Sequence, residues 1–126
     1  MNIIINNSIE TPIYIQLKEQ IKKAIIKNEI ISGDKLPSIR VLAKDLGISV
    51  ITTKTAYEQL EKEGYVETIP AKGVYVSKKS NNLLKEEQYQ KLENILFEAT
   101  KIASVNGFSK TKVKQLIDLL WEDEDE

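Results

Sequence analysis

Residues 35–77 carry the sequence KLPSIRVLAKDLGISVITTKTAYEQLEKEGYVETIPAKGVYVS, and this stretch decides the fold. Ala43 and Gly47 stand four residues apart in it, and two helices joined by a tight turn need a small residue on the first helix and a glycine at the bend. Gly64 predicts the end of the second helix. The apolar positions that fit one shared core are Leu42, Leu46, Ile48, Ala56, Tyr57 and Leu60.

Two short runs with β character follow the helix pair, over residues 65–69 and 74–77. The four residues between them, Pro70-Ala71-Lys72-Gly73, predict a hairpin tip that carries a lysine. The fold class is therefore predicted to be mainly α with a small β-hairpin, in the form of a winged helix-turn-helix. A helix pair beside a basic hairpin fits a DNA groove and its flanking backbone.

The residues before this stretch predict one more helix. Thr11 is expected to be its N-cap and Pro12 its first helical residue, and apolar residues recur at helical spacing over residues 12–28. Ser38 and Ser49 are the expected N-caps of the second and third helices.

A polar linker over residues 78–82 separates this part from two amphipathic helices, one over residues 83–104 and one that begins after Ser109. The first carries Leu84 on its expected apolar face. We therefore expect a winged helix-turn-helix domain over residues 1–78. A two-helix dimerisation and effector region with an acidic, solvated tail is expected over residues 79–126.

The composition argues against an enzyme. The chain has 126 residues, 41% of them hydrophobic, and it contains no cysteine and no histidine. Thiol catalysis, disulfides, the common zinc sites and the usual general base are thereby excluded. Phosphate-loop spacings are also missing, so we expect no enzyme activity, no metal and no cofactor. No apolar run approaches the roughly 20 residues of a membrane span, and a soluble cytoplasmic protein is expected.

The net charge of −1 hides an asymmetry between the two halves of the chain. Residues 1–80 hold 12 Lys/Arg and 9 Asp/Glu, whereas residues 81–126 hold 6 and 10. The N-terminal part is thus modestly basic. Its nonspecific affinity for DNA is expected to be weak and sensitive to salt.

Four segments carry a resemblance to a known family: PIYIQL (12–17), SGDKLPSIRVLAKDLGIS (32–49), TKTAYEQLEKEGYVE (53–67) and AKGVYV (71–76). They resemble the GntR family of bacterial transcription regulators, and in particular its short YtrA-like subfamily. The match runs unbroken over roughly residues 10–77, and GFSKTKVKQLIDLLWE extends it more weakly. The resemblance implies a sequence-specific DNA-binding regulator, a repressor, that binds a palindromic operator in double-stranded DNA as a homodimer.

Two residues near the start of the second helix are expected at the DNA. Ser38 and the amides behind it can meet a phosphate, because a helix N-terminus offers free N–H groups; the alternative is a simple cap. The resemblance places Arg40, the single arginine, at the DNA backbone or at a base edge, and its planar fork suits both phosphate and guanine. The alternative for Arg40 is a salt bridge with Asp45 or Glu67.

The first turn of the third helix is expected to enter the major groove, and it consists of Ser49, Val50, Ile51, Thr52, Thr53 and Lys54. The family pattern usually has arginine at position 50 and valine or leucine at position 53. Val50 and Ile51 instead suit thymine methyl groups, and Lys54 remains as the cation. We hypothesise an operator core richer in A·T pairs than those of arginine-bearing relatives; the alternative is that Val50 and Ile51 serve local packing or helix propensity.

The wing tip departs from the family pattern at one residue. Gly73 allows a positive φ, and Lys72 can enter the minor groove or meet a phosphate. Relatives often have glycine where Ala71 stands, so this tip is expected to be stiffer. The alternative for Lys72 is a solvated lysine.

About 45 residues follow the linker, too few to bury a core and also enclose a small molecule. Their apolar faces are expected to meet a second copy of the chain. The expected dimerisation residues are Leu92, Ile95, Leu96, Ala99, Ile102, Leu116, Ile117, Leu120 and Trp121. The alternative is a monomer whose last helices pack on its own winged domain.

The sequence leaves open whether an unknown small-molecule effector is bound, and no residue set points to a site for one. The second functional hypothesis is a winged-helix protein-interaction module that does not bind DNA. The grouping of Arg40, Lys54 and Lys72 favours the DNA-binding reading.

Overall fold

The computed structural model describes residues 1–79 and 81–121, and these contain five helices and one antiparallel pair of strands. In chain order the elements are α1 (Ile13–Ile26), α2 (Ile39–Leu46), α3 (Val50–Lys62), β1 (Val66–Ile69), β2 (Gly73–Val76), α4 (Asn81–Val105) and α5 (Lys110–Leu120). The predicted fold class, mainly α with a small β-hairpin, is confirmed. The acidic tail lies outside the described residues.

The chain divides into two compact units, Met1–Glu86 and the residues from Glu87 onward. The first unit extends past the boundary expected at residue 78, and α4 begins within the segment expected to be a polar linker. Leu84 belongs to the hydrophobic core of the first unit and is 1% exposed. Its assignment to the apolar face of the C-terminal region was therefore wrong, because its side chain is already buried in the winged unit.

The core of the first unit lies between α1 and α3. Leu17, Ile21 and Ile25 recur at helical spacing on α1 and are fully buried. The residues that they join in one cluster include Leu36, Leu42, Ala56, Tyr57, Leu60, Tyr65, Val66 and Val76. The helix-turn-helix and the base of the hairpin therefore share one hydrophobic core with α1.

The expected start of α1 was wrong by one residue. Pro12 is the N-cap, not the first helical residue, and no side chain caps the helix. The backbone carbonyl of Thr11 accepts a hydrogen bond of 2.8 Å from Nε2 of Gln16. The helix also ends earlier than expected, since Asn28 lies beyond it with a φ of 61°.

The turn between α2 and α3 follows the sequence prediction. Gly47 ends α2 with a φ of 67°, a left-handed conformation that glycine adopts without a Cβ penalty. Ser49 caps α3 by accepting a hydrogen bond of 3.0 Å from the Thr52 amide. Ser38 caps α2 in the same way by accepting from the Val41 amide at 3.2 Å.

The wing is a hairpin whose second strand has an additional neighbour. β1 and β2 pair from Val66 opposite Val76 to Ile69 opposite Gly73. On the other edge of β2, the Leu36 amide donates to the Val74 carbonyl at 2.8 Å. The Val76 amide donates to the Asp34 carbonyl, also at 2.8 Å. The chain just before α2 is thereby fixed to the wing.

The N-terminal segment, which gave little signal in the sequence, lies along α1 as an extended strap (residues 3–6). Gln20 pairs with both backbone groups of Ile4, at 2.9 Å to the amide and 2.7 Å to the carbonyl. Gln16 does the same with Asn6, at 2.9 and 3.0 Å. Four residues of helix rise about 6 Å and two residues of strand about 6.6 Å, so the two spacings match.

The strap also has an apolar side that faces the core. Ile3 and Ile5, on the opposite side of the alternating strap, pack against the core cluster.

An ion-pair network joins α1 to the residue that ends α3. The Glu63 carboxylate lies 3.1 Å from Nζ of Lys18 and 3.5 Å from Nζ of Lys22. Partial burial raises the pKa of Glu63, but the hydrogen bond from Lys18 and the charges of both lysines outweigh burial and leave that pKa below its usual value.

The second unit has almost no core of its own. Among its described hydrophobic residues, Ala103 alone is buried, and α5 has no buried residue. Ser109 caps α5 as predicted, accepting a hydrogen bond of 3.1 Å from the Lys112 amide. Within the described parts of the chain, no helix is long and apolar enough to cross a membrane.

Candidate nucleic-acid interface

The first turn of α3 presents an exposed, mostly apolar surface. The Ile51 side chain is 77% exposed and Val50 is 45% exposed, and Lys54 is exposed one turn further on. The hydroxyls of Ser49 and Thr52 are hydrogen-bonded to each other at 2.8 Å. Because Val50 and Ile51 are this exposed, local packing does not account for them.

Thr53 does not belong to this surface. It is 0% exposed, and its hydroxyl donates to the Ser49 carbonyl at 3.1 Å. Thr53 is therefore removed from the set of DNA-contacting residues. Its spacing to Ala56, Tyr57 and Leu60 places it on the inward face of α3, and the helical period contained that signal.

The N-terminus of α2 exposes both of its predicted residues. Ser38 and Arg40 are exposed, and Arg40 forms no ion pair with any residue that the structure describes. The alternative partner Glu67 instead accepts hydrogen bonds from the Lys78 amide at 3.1 Å and the Ser77 hydroxyl at 3.3 Å. The guanidinium of Arg40 thus stays available to a ligand.

One buried hydroxyl fixes the start of α2 to α3. The Tyr57 side chain, on α3, donates a hydrogen bond of 2.7 Å to the carbonyl of Pro37, the residue before the α2 cap. Tyr57 is 3% exposed, and burial raises the pKa of its hydroxyl, which therefore stays protonated as a donor. This bond sets the position of Ser38 relative to the first turn of α3.

The wing tip contains two residues with a positive φ, and both constrain its shape. Gly73 has a φ of 126°, which confirms the predicted need for glycine. Ala71 has a φ of 65°, a left-handed conformation that is unfavourable for a residue with a Cβ. The Lys72 amide donates to the Ile69 carbonyl at 3.0 Å, which closes the turn and leaves the Lys72 side chain exposed.

A cleft of about 300 Å³ lies between the N-terminus of α2 and the wing tip. Its lining brings together Ser38, Arg40, Lys72 and Gly73, four residues that the sequence had pointed to separately. The remaining lining residues are Lys35, Leu36, Ile39 and Val74. The residues of the α3 first turn do not line this cleft and form a separate surface.

Lys35 is the residue that sequence reasoning missed. Leu36 is buried and Lys35 exposed, as expected for adjacent residues of an extended segment. That alternation, followed by Pro37 and Ser38, was the available signal.

The expected dimerisation residues lie exposed in the second unit. Among them Ile95 is 66% exposed, Ile102 60%, Leu120 76% and Trp121 55%. Leu92, Leu96, Leu116 and Ile117 are also exposed, and Ala99 is partly buried. Within residues 1–79 and 81–121, no cluster of acidic, histidine or cysteine side chains could hold a metal ion.

The fold and this surface define a winged helix-turn-helix protein in which three cationic side chains border a cleft between the N-terminus of α2 and the wing tip. The family model described as bacterial regulatory proteins, gntR family, matches residues 13–76. The chain is 34% identical over 107 residues to the HTH-type transcriptional repressor YtrA of Bacillus subtilis. The matched residues make up 85% of this chain and 82% of YtrA. The protein therefore belongs to the gntR family of bacterial regulatory proteins.

Two solved structures extend the comparison. A protein from Listeria monocytogenes EGD-e, described as a transcriptional antiterminator, superposes with a TM-score of 0.71 at 25% identity and covers 98% of this chain and 92% of its own. The DNA-binding domain of AraR in complex with operator ORE1 superposes with a TM-score of 0.52 at 25% identity, covering 61% and 94%. The relatives are regulators of transcription, and the prediction that this chain is no enzyme is confirmed.

Proposed function

We propose that the protein represses transcription by binding a palindromic DNA operator as a homodimer. The observation that carries the proposal is the exposed first turn of α3 beside a cleft with three cations, on a fold also found in a DNA-bound relative. In this arrangement α3 enters the major groove, and the α2 N-terminus and the wing hold the flanking backbone. The named activity of the similar YtrA repressor supports the sign of regulation.

Base recognition is assigned to the exposed apolar part of the α3 turn. Val50 and Ile51 offer methyl groups to thymine, and Lys54 lies one turn on to reach a base edge or phosphate. The operator core is accordingly rich in A·T pairs. The Ser49 hydroxyl donates its proton to the Thr52 hydroxyl, and the Thr52 hydroxyl keeps its own proton to donate to DNA.

The homodimer is proposed from the second unit. This unit spans 40 residues, and its described part buries one apolar residue, which is too small a core for a stable monomer. Its exposed leucine, isoleucine and tryptophan side chains therefore need a second surface to pack against. A two-fold copy supplies the same apolar surface. We expect sedimentation velocity to give a dimer, and the double variant Ile95→Glu, Leu120→Glu to shift it to monomer. A wild-type monomer at tens of micromolar would contradict this part.

In this proposal the protein acts in the cytoplasm, where promoter DNA lies, and a small-molecule effector releases it from the operator. Repression would then depend on whether the dimer keeps both winged units at their half-sites.

The proposal is tested by fluorescence anisotropy with a duplex taken from directly upstream of the coding region and a scrambled duplex, at two salt concentrations. Specific binders exceed nonspecific binding by roughly a thousandfold or more, and that ratio is the expected result. Arg40→Ala should weaken binding to both duplexes. Binding to neither duplex, even at low salt, would favour the protein-interaction module instead.

A further inference from the structure

We propose that Lys35, together with Arg40 and Lys72, forms a clamp for a DNA backbone phosphate at the mouth of the cleft between α2 and the wing. This inference rests on the proposed DNA binding and assigns the chemistry of one part of that surface. It adds a residue that was not among the predicted DNA contacts, and it assigns one ligand to this place, a phosphodiester of the duplex.

The position of Lys35 is fixed by backbone pairing. The residue lies opposite Tyr75 in an isolated antiparallel bridge, and the next amide, that of Leu36, donates to Val74 at 2.8 Å. Leu36 is 3% exposed, so the backbone of this segment is anchored from below. The Lys35 side chain consequently leaves the sheet edge on the solvent side, toward the wing tip.

The side chain of Lys35 lies across Gly73. A methyl group added at Gly73 would come within 3.0 Å of Cε and 3.7 Å of Nζ of Lys35. The absence of a side chain at position 73 thus leaves the space in which the ammonium group stands. Gly73 has two roles, since its φ of 126° also requires glycine.

The three cations of the cleft lack anionic partners. Within residues 1–79 and 81–121, ion pairs involve Lys18 and Lys22 and leave Lys35, Arg40 and Lys72 unpaired. The wall of this cleft is almost wholly apolar, so the aliphatic parts of the three side chains line it and their charged ends are placed to meet an anion at its mouth. Exposed Ser38 at the same cleft adds the N-terminal end of α2, which favours an anion.

A DNA phosphate fits this cleft better than a free anion. The cleft is open between the α2 N-terminus and the wing, the two elements that would meet the backbone on either side of a groove. One phosphate held by residues of both elements would couple the wing to α2. The contact carries no base information, so it should affect specific and nonspecific duplexes by the same factor.

The test compares Lys35→Gln with Lys62→Gln, which removes the same charge at the far end of α3. Binding of a mixed-sequence duplex is followed by anisotropy across a salt series. For Lys35→Gln we expect affinity about two- to fivefold lower. The slope of log K against log salt should become shallower by about 0.9. Lys62→Gln should keep the wild-type slope.

The outcomes separate the two proposals. A wild-type protein that binds no duplex at low salt would overturn DNA binding and the clamp together. A wild type that binds, with Lys35→Gln and Lys62→Gln alike in slope, would overturn the clamp alone.

A third arm adds inorganic phosphate at constant ionic strength. The clamp predicts no more competition than chloride gives, and strong competition that is lost in Lys35→Gln would identify a free-anion site and overturn the assignment to DNA.

Discussion

The substitution Tyr57→Phe removes the phenolic oxygen and tests the hydrogen bond that joins α3 to the residue before the α2 cap. The hydroxyl donates at 2.7 Å to the Pro37 carbonyl from a side chain that is 3% exposed. A hydrogen bond of this kind contributes about 0.5–1.5 kcal/mol, and an acceptor left without its partner adds to the loss. We expect the free energy of unfolding of the winged unit to fall by about 1–2 kcal/mol. The melting temperature should fall by roughly 4–8 °C per kcal/mol.

The assay is urea unfolding followed by circular dichroism, at one fixed protein concentration because dimerisation couples stability to concentration. Tyr14→Phe is the matched control, since Tyr14 also borders the core but its hydroxyl has no hydrogen bond among the described residues. DNA affinity should fall with Tyr57→Phe more than with Tyr14→Phe, because Pro37 precedes the Ser38 cap. Equal stability of both variants and wild type would refute the reasoning.

Three further predictions follow from single residues. Ala71→Gly removes the Cβ from a residue with a left-handed backbone, but glycine also makes the unfolded chain more flexible. The two effects together should raise the free energy of unfolding by about 0.5 kcal/mol. A lower stability of this variant in urea would contradict the claim that Ala71 is strained. Glu63→Gln should cost about 0.2–1 kcal/mol at pH 7. Because the folded pKa of Glu63 is lowered, that difference should vanish as pH falls from the ordinary value of 4.5 through the folded pKa, and a constant difference would exclude the ion pairs. Gln16→Leu should destabilise by about 1–3 kcal/mol and the more exposed Gln20→Leu by less, measured by the same unfolding assay; equal losses would disprove the role of burial in the strap.

Local signals in the sequence determined much of the winged unit. Ser38 and Ser49 cap helices where the residues predicted it, and Gly47 adopts the conformation that a tight turn requires. These features depend on neighbours three or four residues away, so they can be read from a short window. The hairpin followed from Gly73 in the same way.

The features that were missed depend on distances between separate elements. The strap requires the rise of α1 between Gln16 and Gln20 to match the rise between Asn6 and Ile4, a relation that no single segment displays. Lys35 joins the cleft only because its segment pairs with β2. Leu84 shows the converse, since a residue with helical periodicity can serve the core of either unit.

Thr53 is a miss of a different kind. Its helical spacing to Ala56, Tyr57 and Leu60 indicated the buried face, but its polar side chain and its place in the first turn of α3 suggested the DNA. Periodicity outweighed residue type in this case because the hydroxyl satisfies its hydrogen bond within the helix, by donating to Ser49.

The central claim is most directly tested by selecting duplexes from a random pool with the full-length protein and sequencing the bound fraction. The account predicts one enriched palindrome, its half-sites about one helical turn or a multiple apart, with A·T pairs where Val50 and Ile51 meet the bases. A fixed guanine opposite Val50 would contradict the assignment of that turn. A pool with no enrichment over repeated rounds would contradict sequence-specific DNA binding itself.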